Sequence, residues 1–275
     1  MNNQGYAGII WRNVRKRNKP SLWRYALRTY NRMKTLEQDS KEAPLKIERT
    51  NVHHEGALLA CDKLGLWQEA MDIYRHVEAT ATTNQTVTAT TRRRKAVCVT
   101  DNMVLSLVSA CVRGSKQMNS METGIKERRA PLDVATQVLL ELEAKHGLPL
   151  VARHLNPLAA AYHSLGLHAD AANLLQNNLT DRTSGPEEEN GDDPFNVHDM
   201  RAKDKGSYAL LVQGAVSDGD WGDAVEALKD MTEAGLYPNS RHLNRWTEIS
   251  EGKSRQRSTR SWKKKREEYW LESVR

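Results

Sequence analysis

The sequence predicts an all-α fold: a right-handed α-solenoid of helix-turn-helix repeats. Three observations predict it. Apolar residues recur at steps of three and four along most of the 275-residue chain, which is the period of an amphipathic helix. One spacing, 0, +3, +4, +7, +10, occurs five times, always with alanine at +3. Strand signals are nearly absent, because the β-branched cluster TVTATT at 86–91 is polar and has no second run to pair with. A hairpin of two short amphipathic helices cannot bury both apolar faces alone, so it needs neighbours of the same kind.

Taken in order, residues 1–36 contain no Asp or Glu and nine Lys/Arg, from Arg12 to Lys34. They also hold the first copy of the spacing: Trp23, Ala26, Leu27, Tyr30, Met33. Two readings stand, a folded basic hairpin and a targeting segment, which is likewise basic and acid-poor. Residues 37–50 form a polar link containing Pro44. The next hairpin spans 51–79, with Trp67, Ala70, Met71, Tyr74 and Val77 in its second helix and Gly65 at its turn. Residues 80–97 are Thr-rich and end near four consecutive cations, Arg92, Arg93, Arg94 and Lys95. This tract reads as a solvated loop or as a phosphate contact.

A further first helix is expected near 101–113, an insertion at 114–130, and a second helix over 131–145 carrying Leu132, Ala135, Thr136, Leu139 and Leu142. The hairpin at 152–179 follows, with Gly166 at its turn and His168, Ala171, Ala172, Leu175 and Asn178 in register. Its first helix contains Pro157, which a helix tolerates only in its first turn. Residues 181–203 include PEEENGDDP. They lack apolar periodicity and read as a disordered insertion.

The clearest hairpin is 205–239. Tyr208, Leu211, Val212, Ala215 and Val216 make one apolar face, and Gly219-Asp220 breaks the helix. Trp221, Ala224, Val225, Leu228 and Met231 make the second face. Gly235 supplies a left-handed stop, and Pro238 prevents the helix from resuming. The solenoid thus covers 1–250, with 251–275 as a basic tail. That tail carries eight Lys/Arg between Lys253 and Arg266, among them Arg255, Arg257, Lys263, Lys264 and Lys265, with Trp262, Tyr269 and Trp270 nearby. Cations neutralise phosphates and flat rings stack on bases; equally, the tail can cap the last repeat as a helix.

The stretch 205–239 resembles a pentatricopeptide repeat. It has the length of such a motif, an early aromatic Tyr208, the Gly219 turn, WxxA at Trp221–Ala224, Met231 and the ending GLYPN. Residues 51–79, 152–179 and the interrupted 98–150 look like further copies, 7–36 like a degenerate first one, and Ser240–Ser250 like the first helix of an unfinished last one. The resemblance covers about two thirds of the chain and implies single-stranded RNA bound along the face of the first (A) helices, one base per repeat. It implies that the fifth residue of each motif reads the base: Glu55, Asn156, Ala209 and Asn244. It implies the same for the last residue of the clear copy, Asn239. Glu55 and Ala209 differ from the Asn, Thr or Ser usual in the family. The resemblance also implies a mitochondrial or plastid setting, with protein partners in an organellar ribonucleoprotein.

Composition sets the other bounds. Apolar residues make up 39% and aromatics 6%, a lean supply suited to repeats that each bury a thin layer. No apolar run reaches the length that spans a membrane. Net charge is +6, which suits a polyanionic partner. Cys61 and Cys111 fall on apolar helix faces and are expected to be buried free thiols, with Cys98 apart from both. No phosphate loop, GxSxG, HExxH or CxxC is present. His53-His54 are adjacent, not spaced to share one helix face as a metal pair. No cofactor, metal or catalytic residue is expected, and a protein-binding scaffold is the other function class.

Overall fold

Glycine ends the first helix of each well-formed hairpin in the same way. Gly65, Gly166 and Gly219 have φ of 68°, 76° and 83°, a left-handed conformation that a Cβ disfavours. Each amide bonds the carbonyl three residues back, at Asp62, His163 and Val216, and the following amide bonds five back, at Cys61, Tyr162 and Ala215. These paired bonds satisfy carbonyls that the helix end would leave bare. Gly235, with φ 69°, closes the second helix of the last hairpin likewise.

The computed structural model describes residues 3–16, 18–39, 47–87, 97–118, 124–181 and 201–254. Among these the fold is all-α. It has no strand, only an isolated bridge between Thr180 and Ala202. The chain divides into two compact units, Met1–Leu148 and Pro149–Arg275. The sequence alone predicts one solenoid over 1–250. The division falls just after Gly147, whose left-handed φ of 64° stops a helix, and Pro149 follows it.

The first unit holds three hairpins: α1 (Asn3–Val14) with α2 (Pro20–Asp39), α3 (Asn51–Leu64) with α4 (Trp67–Val87), and α5 (Asp101–Gln117) with α6 (Ile125–His146). First helices stack on first helices, α1 on α3 and α3 on α5. Each second helix also touches the next first helix, α2 on α3 and α4 on α5. That is the neighbour-to-neighbour packing of a helical repeat. The α1–α3 approach is so close that a Cβ on Gly56 would lie 2.6 Å from the Ile10 side chain.

The second unit holds α7 (Ala152–Ser164) with α8 (His168–Asn178), α9 (Lys205–Asp218) with α10 (Trp221–Glu233), and the single helix α11 (Ser240–Ser254). Here α9 packs on α7, α8 and α11. Trp246 of α11 is buried with Val212, Val216, Ala224 and Leu228. Cys61 and Cys111 are buried free thiols, as expected, and burial pushes both up to about 12. No described helix is long and apolar enough to cross a membrane.

The five-fold register holds throughout. Ala26, Ala70, Ala135, Ala171 and Ala224 are all fully buried, with 0% exposure. The +7 residues Tyr30, Tyr74, Leu139, Leu175 and Leu228 are buried as well.

Boundaries differ from expectation where a local rule lost to its neighbours. The insertion expected at 114–130 narrows, because α5 runs on to Gln117 and α6 starts at Ile125. The strong helix formers of IKERRA start α6 early and leave Pro131 in its second turn. Pro157 is also in a second turn, not the first. Each proline gives up one amide donor at a site fixed by buried neighbours, Leu132 and Leu155 with Leu158. Helix α4 enters the Thr-rich tract as far as Val87, with the Thr80 hydroxyl donating to the His76 carbonyl. The insertion at 181–203 is tied at both ends, since the Thr180 amide bonds the Arg201 carbonyl and the Lys203 amide bonds the Thr180 carbonyl. Lys203 also reaches Asp181 at 2.6 Å.

Replacing a +3 alanine should overpack the hairpin. Ala224→Leu is expected to destabilise by about 1–3 kcal/mol, read by denaturant titration. A wild-type midpoint would place Ala224 outside the helix–helix contact.

Candidate nucleic-acid interface

The A-helix face is built at the helix N-termini. Thr100 caps α5, its hydroxyl accepting from the Met103 amide at 3.4 Å. Asp204 caps α9, its carboxylate accepting from the Ser207 amide at 2.8 Å. Side chains at the third helical position return the favour to the cap backbone. The Thr50 amide donates to His53 Nδ1 at 3.1 Å, and the Asp204 amide to Ser207 Oγ at 3.3 Å. These caps fix where α3, α5 and α9 begin, and so where their fifth residues lie.

The fifth positions expected to read bases are Glu55, Asn156, Ala209 and Asn244; the same count on α5 falls on Leu105. Glu55 accepts from the Thr100 hydroxyl at 2.7 Å, on the cap of the next A helix. Asn156 does the equivalent in the second unit. Its Nδ2 donates to Asp204 at 2.9 Å, and its Oδ1 accepts from Ser207 Oγ at 2.9 Å. An amide has two donor hydrogens and two acceptor lone pairs, so Asn156 keeps one of each. Ala209 is buried in the α9–α11 core with Trp246. It has no polar side chain to offer a ligand and departs from the expected reading role. Asn244 is exposed on α11. Asn239 is exposed too, and its Oδ1 accepts from the His242 amide at 2.9 Å, capping α11. The structure therefore places Glu55 and Asn156 at equivalent seams and leaves Asn239 and Asn244 open at the last A helix.

Arg92, Arg93, Arg94, Lys95, Arg255, Arg257, Lys263, Lys264 and Lys265 lie outside the described residues. Lys253 lies near the end of α11. Further along the first unit's A face, Asp62 is buried and takes the Arg113 guanidinium at 2.8 Å and the Ser109 hydroxyl at 2.5 Å.

Sequence reasoning missed one polar centre. Arg49, in the stretch read as a link, is buried. Its Nε meets Glu37 at 2.6 Å, Nη1 donates to the Tyr30 hydroxyl at 3.0 Å, and Nη2 meets His76 Nε2 at 2.8 Å. The Tyr30 hydroxyl in turn lies 2.8 Å from His54 Nδ1. Burial pulls His54 down to about 3, helped by Arg49, and pushes Tyr30 up to about 12. His53 and His54 serve separate ends: His53 Nε2 sits 2.9 Å from the Asn3 carbonyl. Glu37 in the last turn of a helix, with Arg49 directly before a cap threonine, is the one sequence signal of this cluster. In the second unit His163 Nδ1 faces His168 Nδ1 at 2.8 Å, and burial, with His168, pulls His163 down to about 4. Among the described residues no group of three or more His, Cys, Asp or Glu is placed to hold a metal ion.

The fold and its seams define a helical-repeat protein. No protein-family model matches the chain. No curated protein matches it either. Among solved structures it is similar to the crystal structure of the pentatricopeptide repeat protein PPR10 from maize, with 14% identity and a TM-score of 0.33. The alignment covers 84% of this chain and 34% of that one, so the chain spans about a third of the length of the maize protein.

The neutral buried histidines set a pH dependence. An unfolded chain protonates histidine near 6.5, whereas folded His54 and His163 resist protonation down to about 3 and about 4. Below pH 6.5 the unfolded state therefore binds more protons, and stability falls as pH falls. The melting temperature is expected to drop between pH 7.5 and pH 5. A flat profile would contradict the neutral, buried state of these rings.

Proposed function

We propose that this protein binds single-stranded RNA along its A-helix face and acts in RNA processing, stability or translation in a mitochondrion or plastid. The observation that supports this reading is the seam of fifth positions. Glu55 and Asn156 each sit against the cap of the next A helix in their own unit, so a strand laid across the A helices would meet a polar fifth position at these two seams, while Leu105 and the buried Ala209 offer none. Asn239 and Asn244 extend the row of the second unit with exposed amides. Amides read base edges because they donate and accept at once. A net charge of +6, with cation runs at Arg92–Lys95 and Lys253–Arg266, favours phosphate contact and gives the binding its salt dependence.

A second reading has a specific observation behind it. The hydrogen bonds that engage Glu55 and Asn156 already spend part of their recognition capacity on the repeat stack. A protein-binding scaffold, such as a subunit of an organelle ribosome or an RNA-processing complex, uses such a face without reading bases. Titration against a pool of single-stranded RNA at several salt concentrations separates the two, since a pure protein scaffold shows no salt-dependent RNA binding.

Two variants are expected to behave differently. Truncation after Ser250 should weaken binding to all sequences alike. It should also flatten the salt dependence, by roughly 0.7 in log–log slope for each phosphate that the tail no longer neutralises. Asn244→Ala should shift base preference while leaving that slope nearly intact, because an amide releases no counterion. If truncation changes neither affinity nor slope, the tail is a structural cap and the scaffold reading leads.

A further inference from the structure

The first hairpin carries a feature that base reading along the A helices does not use. Helix α2 buries Trp23, Ala26, Tyr30 and Met33 against its neighbours. Arg24, Arg28 and Arg32 all lie exposed on its outward side. They are spaced one turn apart, about 6 Å of helix rise per step. Among the described residues no ion pair engages any of the three. Like charges at i, i+4 weaken a helix, so two such steps in one helix run against stability. A solvated outer face ordinarily mixes the signs of its charges, and the other second helices carry no such run of cations. Counted from the first residue of the common spacing, these arginines are positions +1, +5 and +9. Helix α4 has Gln68, Asp72 and His76 there, and α10 has Gly222, Glu226 and Asp230. Neither α6 nor α8 has a Lys or Arg at any of the three positions. The stripe therefore belongs to this one helix and is not a property of the repeat.

Its surroundings favour a phosphate chain. No carboxylate occurs before Glu37, so nothing local in the sequence neutralises the field. The turn end of the hairpin adds Arg15, Lys16 and Lys19, all exposed. Tyr25, adjacent to Arg24 and about one turn before Arg28, is 50% exposed and offers a ring on which a base can stack. An anionic membrane suits the face less well, because the apolar side of α2 is already consumed by packing and leaves no wedge to enter lipid.

We infer that the outward face of α2, through Arg24, Arg28 and Arg32, is a second contact surface for the phosphate backbone of single-stranded RNA, separate from the A-helix seam. It rests on the RNA-binding reading and supplies sequence-independent affinity. The test uses the full chain and a labelled oligouridine, titrated across salt. The triple variant R24Q/R28Q/R32Q should lower the log–log salt slope by about 2, three phosphates at roughly 0.7 each. R24K/R28K/R32K should keep the slope. A control removing equal charge from other second helices, R75Q/K145Q/K229Q, should also keep it. A glutamine triple that retains the slope while the wild type binds overturns this inference and leaves the A-face reading standing. An equal drop in the control overturns it in favour of bulk charge. Binding to phosphatidylserine vesicles that the glutamine triple abolishes, with RNA binding intact, overturns it in favour of a membrane. A wild type that binds no RNA removes the A-face reading and this one together. Circular dichroism of each variant establishes that the helix persists.

Discussion

The packing of a methyl group against a neighbouring helix governs this fold. In every second helix that carries the common spacing, the +3 residue is an alanine with no exposure. A larger side chain would push the helices apart, and a smaller one would weaken the second helix. That close approach sets the rotation of the second helix, and rotation decides which residues follow it inward. Helix α8 makes the point. Its first and last register positions are His168 and Asn178, polar and half-buried, yet Ala171 and Leu175 are fully buried. The alanine holds the register even where the flanking positions do not contribute.

Much of this is legible in the sequence because it is local. Helix faces follow from a 3.6-residue period, and the three turn glycines sit two residues before the first register position. What is not legible depends on residues distant in sequence or on competition between local rules. Arg49 reads as part of a linker because Tyr30, Glu37, His54 and His76 meet only once α2, α3 and α4 have packed. Pro131 reads as a helix start and Pro157 as a first-turn residue, but tertiary burial on both sides carries each into a second turn. The fifth positions can be counted from the sequence. That Glu55 and Asn156 bond the cap of the next A helix cannot, since it depends on the stacking distance. Ala209 can be read as a departure from the usual residue, though not as a position closed into a core with Trp246.

The A face is consequently uneven. In the first unit its polar groups largely satisfy one another, with Glu55 on Thr100 and Asp62 holding Ser109 and Arg113. In the second unit Asn156 is half committed, and the amides of the last A helix face solvent. A ligand reading bases would find its freest partners toward the end of the described chain. One gripping phosphates would find its exposed arginines on α2, near the beginning.

The Arg49 cluster has a consequence for how freely the repeats can be exchanged. Consensus repeat proteins are assembled from interchangeable units that share a common apolar interface. Here the joint between the first and second hairpins contains a buried guanidinium with its Glu37 carboxylate, a phenol and two imidazoles, bonded to one another in a fixed order. A hairpin transplanted from the third place or later would bring leucine to the position of Tyr30 and no carboxylate to that of Glu37, which would strand the guanidinium among groups that do not balance its charge. The first hairpin is in that sense keyed to its neighbour. Evolution can drift the surface of this repeat array freely, but it cannot shuffle, duplicate or delete that pair without changing both members at once.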